Sequence, residues 1–365
     1  MSILIFILVL VALIVVHEFG HFVIAKLSGM RVDEFGIGYP PKAWGKKFGE
    51  TEYTLNWLPF GGFVKIFGED PEPGAERDPR AFSSKPRILQ AAVLVAGIGM
   101  NLFFAYLLIT ATLFLGTTRA LTSEEAKIAP DAVLAVASVI PNSPAEEAGL
   151  VPGDAILSVE SAGGSYTGAE PELFTALVNE NEAGTPITLS VRHGEEIKDV
   201  TLTPATGVIA GNPDRVALGV GLATIGTVSV SALEAPVEGA ILTWELTKQT
   251  AVALYHFFGG LFTFTADLSQ VAGPVGIAGA VGSASSDGIA SLLAITALIS
   301  INLALINLLP VPALDGGRLF FVIIEAITRR PIKPVIANAF NTVGFALLIL
   351  LMLVVTASDI FKIVS

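Results

Sequence analysis

The sequence predicts a polytopic α-helical membrane protein with about four transmembrane helices, a membrane-associated β-hairpin and an inserted α/β domain. Three observations predict it. Apolar residues make up 52% of the 365-residue chain and charged residues only 15%, at a mean hydropathy of +0.70, which is unusual for a soluble protein. Charge-free runs of spanning length recur along the chain. Basic and acidic residues are segregated into different segments between those runs.

A span needs roughly 20 apolar residues. Ile88 to Thr118 is free of charge for 31 residues, Ile289 to Leu314 for 26 and Pro334 to Ser358 for 25. The first segment is uncharged from Ser2 to Val16 and reaches spanning length only by including His17, Glu18 and His21. No basic n-region or small-residue cleavage site precedes these residues, so residues 2–27 read as a retained anchor rather than a signal peptide. Gln249 to Ala266 is a borderline run of 18 residues with His256 and Gly259-Gly260 inside it. The chain has no cysteine, which excludes disulfides and thiolate metal sites.

The charges orient the chain. Residues 26–87 carry ten Lys and Arg, and Arg329, Arg330 and Lys333 lie between the last two spans. Residues 119–238 carry five basic against 17 acidic residues, a net of −12. Basic loops favour the cytoplasm, which puts the acidic segment and both termini outside. The organisation expected is span one at 1–27, a cytoplasmic-side hairpin and loop region at 28–86, and span two at 87–118. An outer domain follows at 128–205, then a linker and membrane-surface amphipathic helices at 206–287. Span three covers 288–314 and span four 334–358. The partners expected are the lipid bilayer and single-span membrane proteins; nucleic acid is not expected.

Within 28–86, "ETEYTLNWLPFGGFVKIF" (residues 50–67) reads as two strands around Pro59-Phe60-Gly61-Gly62. Residues 68–80 read as a polar, proline-rich loop. In 128–205, "AVLAVASVI", "AILSVES", "PITLSVR" and "DVTLTPA" read as short strands, with one helix near Ala169 to Asn179. The string "ASVIPNSPAEEAGLVPGDAILSVES" resembles the core of a PDZ domain: a strand, a short helix from Ser143 to Ala148, then Pro152-Gly153-Asp154 leading into a strand. That resemblance implies capture of an extended peptide or substrate segment by strand addition. A small domain without a ligand is the alternative.

His17-Glu18-Phe19-Gly20-His21 has the spacing His-Glu-x-x-His. On a helix, residues i and i+4 share a face roughly 6 Å apart, so both imidazoles can ligate one Zn²⁺. The adjacent glutamate can then act on a water whose pKa the zinc lowers to about 7. The apolar flanks argue against a solvated helix face, and ionisable groups inside a span mark a functional site. A third ligand must come from elsewhere. His193 reads as a surface residue and His256 as interfacial. Asp315 in "NLLPVPALDGGRLFF" is the better candidate. If residues 249–266 do not span, Asp315 falls at the cytoplasmic end of its span, near the depth of His17 and His21. The basic residues after it then also fall inside.

The chain resembles the site-2 protease family of intramembrane zinc proteases, in its bacterial RseP-like branch with a single PDZ domain. The resemblance rests on "HEFGH", "FGGFVKIFGED", the PDZ-like core, "AGPVGIAGA" and "NLLPVPALDGG". It implies His17, His21 and Asp315 as ligands of one zinc per chain and Glu18 as general base. It also implies Asn307 and Pro310 as substrate-binding residues, and cleavage of membrane-anchored substrates within their transmembrane segments at the bacterial inner membrane. Gly61, Gly62 and Phe63 are expected to offer a strand edge to the extended substrate. The second core span departs from the family pattern: "AGIGMN" has Ile98 where proline is usual, and Asn101 reads as an interhelical hydrogen bond. A membrane-anchored PDZ scaffold with an inactive metal site is the competing reading. An ion transporter would need more carboxylates in the later spans than the sequence has.

Overall fold

The computed structural model describes residues 2–69, 77–129, 131–182, 184–194, 196–208, 215–263, 272–330 and 332–364. In chain order it contains α1 (Ser2–Leu27), β1 (Val32–Phe48), β2 (Thr51–Ile66), α2 (Arg87–Leu115), β3 (Thr117–Ala120), α3 (Ser123–Ile128) and β4 (Val133–Val139). Next come α4 (Pro144–Glu147), β5 (Ala155–Ser161), β6 (Gly164–Tyr166), α5 (Pro171–Glu180), β7 (Ile187–His193), β8 (Glu196–Leu202) and β9 (Val220–Val228). The chain closes with α6 (Ala235–Phe262), α7 (Pro274–Ser286), α8 (Ile289–Leu308), α9 (Asp315–Thr328) and α10 (Pro334–Val364). Two compact units result: Met1–Phe114 with Ser231–Ser365, and Leu115–Val230.

Four helices of the first unit are long and apolar enough to cross a membrane: Ser2–Leu27, Arg87–Leu115, Ile289–Leu308 and Ala339–Phe361. They fall where the charge-free runs predict them. The borderline run lies mostly in α6, which begins earlier at Ala235 and carries Glu238, Glu245 and Lys248; residues 264–266 lie outside the described residues. Leu246 of α6 packs on Ala105, Ile109, Ala297 and Ile301 of α2 and α8. In α10 the buried Asp359 carboxylate accepts the Gly276 N–H at 2.8 Å, placing an anion against the positive N-terminal end of α7.

The β-region needs a correction. β1 covers residues 32–48, which the sequence left unassigned, and β2 runs continuously over residues predicted to be two strands around a turn. β1 pairs twice with β2: Phe35 opposes both Val64 and Tyr53, and Trp44 opposes Leu55. Four short strand segments therefore form one sheet, with 62–66 at an edge. The glycines and prolines of "FGIGYPPKAWG" weaken the strand signal there. Phe22 of α1 holds the sheet by ring contacts with Phe35 at 5.3 Å and Tyr53 at 6.1 Å.

The second unit is a seven-stranded antiparallel sheet, ordered β3-β9-β4-β5-β7-β8 with β6 on β5. Its core gathers Leu134, Ile156, Val159, Phe174, Ile187, Leu189 and Val191. Ser143 caps α4, accepting the Glu146 N–H at 3.4 Å. The buried Asp154 carboxylate closes the Pro152-Gly153-Asp154 turn by accepting the Val151 N–H at 3.0 Å. The segment 206–287 is not only linker and helices: Val220–Val228 forms β9, between β3 and β4. Its two glycines hid it from a propensity reading.

Glu50, in the turn between β1 and β2, accepts from Lys26 of α1 at 2.7 Å and from Arg80. These bonds hold its carboxyl down to about 2 from an ordinary 4.5. A depressed carboxylate stabilises the fold above its unfolded pKa and loses that contribution as pH falls through the folded one. Acidification from about pH 5 to about pH 2 should therefore loosen the sheet from α1, read as a change in tryptophan fluorescence from Trp44 and Trp57. Glu50→Gln should remove that part of the transition.

Candidate metal centre

α1 carries no charged side chain apart from Glu18 beside the two histidines and Lys26 in its last turn. His17 and His21 share one face, with ring centroids 4.8 Å apart, and each is only 6% exposed. That face meets α2 at very close range because glycines face each other across it. A Cβ on Gly20 would lie 2.4 Å from the Ala96 carbonyl oxygen, and one on Gly97 2.4 Å from His21 Nε2. Small residues let helix backbones approach this closely in membranes. The departure at Ile98 leaves α2 unbroken, and Ile98 is buried.

Asp315 reaches the same point from a different element. α8 ends at Leu308, residues 309–314 are irregular, and Asp315 opens α9. Asp315 Oδ2 lies 2.8 Å from His17 Nε2 and 3.2 Å from His21 Nε2, and the two Nε2 atoms are 3.1 Å apart. Ligands of a tetrahedral zinc at about 2.0–2.1 Å stand roughly 3.3 Å from one another, so this triangle needs little adjustment to hold the ion. Two imidazoles and one carboxylate, with a fourth position left open, is a catalytic zinc donor set. Among the described residues, these three form the one group of His, Asp and Glu side chains with this geometry.

His21 Nδ1 donates to the Val93 carbonyl oxygen at 2.7 Å. A carbonyl only accepts, so Nε2 keeps its lone pair for a metal. Glu18 stands apart from the three donors. Its Oε2 accepts the Val64 N–H at 3.1 Å, on the edge of the sheet. Glu18, His21, Gly62, Phe63 and Asp315 line a cavity of about 740 Å³, together with Arg318, Asn341 and Phe345. Arg318 pairs with Glu69 at this cavity.

Residues 5–351 match the profile of peptidase family M50. A Clostridium perfringens protein carrying a zinc-metalloprotease name is 38% identical over 96% of this chain and 95% of its own length. The chain belongs to peptidase family M50. Zinc metalloprotease RasP of Oceanobacillus iheyensis is 31% identical over 97% of each chain. RasP of Geobacillus kaustophilus is 31% identical over 99% of this chain and 98% of its own. As an M50 peptidase this membrane protein is a zinc metalloprotease, with zinc as its cofactor.

The structure brings His17, His21 and Asp315 together and places Glu18 on the cavity that His21 and Asp315 line. Of the residues predicted to meet substrate, Gly62 and Phe63 line the cavity, while Gly61 and Pro310 do not. Asn307 places Nδ2 3.5 Å from His17 Nε2. The rejected alternatives lie elsewhere: His193 donates to Asp154 within the second unit, and His256 is on α6. Sequence reasoning missed the Val93 carbonyl, since a backbone group leaves no residue signal. It also missed the pairing of Gly20 with Gly97, which small-residue spacing on facing spans could have suggested. Asn101 does bond between helices, and its partner is His17 at 3.3 Å.

Gly97→Ala should be among the most damaging single-methyl additions in the span region. Its Cβ has no free space, and overpacking of this kind costs about 1–3 kcal/mol. Thermal unfolding in detergent should fall accordingly, and bound zinc should fall with it.

Proposed function

We propose that this zinc metalloprotease cuts single-span membrane proteins within their transmembrane segments. The observation that carries this reading is the convergence of the buried His17 and His21 with Asp315 among apolar helices, with Glu18 of the same helix bonded to a strand edge. In this reading His17, His21 and Asp315 hold one Zn²⁺ per chain. Bound zinc supplies Lewis-acid polarisation of the scissile carbonyl and makes water acidic near neutral pH. Glu18 takes the proton of the attacking water and delivers it to the leaving amine. A peptide bond inside a helix is hydrogen-bonded and cannot be attacked in place. The edge at Gly61, Gly62 and Phe63 offers the unwound substrate a strand to pair with. Asn307, beside His17, meets the substrate carbonyl region, and Pro310 ends α8 so that the chain can turn to Asp315.

The basic segment 26–87 supports a cytoplasmic position for the sheet and the metal end of α1. The acidic second unit then lies outside the cytoplasm, as do both termini, at a bacterial inner membrane. We read that unit as a PDZ domain with two added strands. A small groove of about 90 Å³ lined by Phe174, Val178, Leu218 and Gly219 supports a peptide-binding role. A scaffold with an inactive metal site is disfavoured, because the chain belongs to a zinc-metalloprotease family and His17, His21 and Asp315 converge beside Glu18.

Glu18→Gln should lower cleavage of a transmembrane substrate by about 10²-fold or more while leaving zinc content unchanged. Asp315→Asn should lower zinc content as well as cleavage. Equal zinc loss in the Glu18 variant would make Glu18 a ligand, and full activity of the Asp315 variant would place the third ligand elsewhere.

The second unit cannot contribute catalytic groups if it lies outside, but it can meet a substrate's outer portion first. Replacing residues 117–228 by a short flexible linker should leave zinc bound and relax discrimination against bulky outer domains. Cleavage of one transmembrane segment carrying a large or a short outer domain measures this. An unchanged preference for short outer domains would remove the filter role.

A further inference from the structure

The two histidines are held differently behind the metal site. His21 Nδ1 faces a backbone carbonyl, so its tautomer is settled. His17 Nδ1 faces the side-chain amide of Asn101, 3.3 Å from Nδ2. Asn101 is fully buried, and its Oδ1 has no hydrogen-bond partner. Its backbone is fixed independently, with the carbonyl accepting from Ser300 Oγ at 2.8 Å.

An amide N–H donating to His17 Nδ1 would require a lone pair there. The proton of a neutral ring would then be on Nε2, pointing at Asp315 Oδ2 and His21 Nε2, where the metal belongs. Rotating the amide by half a turn exchanges oxygen and nitrogen at no cost in shape. The orphaned oxygen then accepts the Nδ1–H of His17, and Nε2 presents its lone pair to the site. Both histidines would thereby have a buried carbonyl oxygen behind them, one from the backbone of α2 and one from a side chain a little over two turns further along the same helix.

We infer that Asn101 is a positioning residue for the metal centre: its side-chain carbonyl accepts the His17 Nδ1–H and fixes Nε2 as the ligand atom. Partners of this kind behind a ligating histidine are worth about 10–100-fold in metal affinity. An amide in this place orients the ring without adding a second negative charge beside Asp315. This rests on the reading of His17 as a zinc ligand.

The test is zinc affinity of the detergent-solubilised full chain, stripped of metal and titrated with Zn²⁺ against a chromophoric chelator. His17→Ala tests the underlying reading: wild-type affinity in that variant means that His17 is no ligand, whatever Asn101 does. With that reading intact, Asn101→Leu should weaken Zn²⁺ binding by about 10–100-fold. Asn101→Asp, which keeps an acceptor and has no N–H, should bind within a few-fold of wild type. An Asn101→Asp variant as weak as the leucine variant would mean that the amide donates, and the inference fails. Unchanged affinity in Asn101→Leu would also overturn it. Thermal unfolding of the metal-free proteins separates loss of affinity from loss of fold. If the leucine variant does not fold, Asn101→Ala takes its place, with the same outcomes.

Discussion

The metal centre depends first on how closely α1 approaches α2. Two imidazoles inside apolar helices are tolerable only if every polar atom has a partner, since unpaired buried groups cost several kcal/mol in such surroundings. Gly20 and Gly97 remove the side chains that would hold the helices apart. The backbones then come near enough for the Val93 carbonyl and the Asn101 amide to reach the backs of the rings. The Nε2 edges of the rings are left for Asp315. Any residue larger than glycine at position 97 would occupy the space of the imidazoles themselves.

The same helix also carries Glu18 and the anchor for the strand edge. Glu18 follows His17 by one residue and so points about a quarter-turn away, towards the sheet rather than towards Asp315. It meets the Val64 N–H there. One turn further on, Phe22 packs against Phe35 and Tyr53, and Lys26 binds Glu50 at the hairpin turn. Two of the three donors, Glu18 and the strand edge are thus referenced to one rigid element. Sites built on regular elements hold their geometry better than sites built on loops. It follows that the relative positions of Glu18 and the edge should survive changes in the loop after β2.

The spans and the metal motif were legible because both are dense local signals: length of apolar run, and histidines four residues apart. The domain strands from 132 to 202 were legible because β-branched residues alternate between turns. What failed was non-local. β9 has glycines at positions 221 and 226 and is a strand only because β3 and β4 flank it. β1 contains Gly36, Gly38, Pro40, Pro41 and Gly45, so its pairing, not its propensity, makes it a strand. Pro310, implied by the resemblance, and Gly61, expected on the strand edge, do not line the cavity, since neither signal says which residues face inward.

Asp315 shows how an irregular segment can set the position of the helix that follows it. A helix fixes its side chains at steps of about 100°; α8 brings the Asn307 amide to 3.5 Å from His17 Nε2, and the carboxylate comes from the segment that follows it. Pro310 and Pro312 stop the helix and deny it backbone donors. Ala313 then takes a left-handed conformation, φ 68°, unusual for a residue with a Cβ. Its N–H is held by Asn341 Oδ1 of α10 at 3.4 Å. The chain folds back so tightly that a Cβ on Gly316 would lie 2.2 Å from the Leu309 carbonyl oxygen. Asp315 is thereby the first residue of α9, where the helix dipole favours a negative charge. The strain at Ala313 and the favourable charge at Asp315 belong to one device: backbone conformational energy is spent to set a carboxylate against two histidines that come from 298 and 294 residues earlier in the chain.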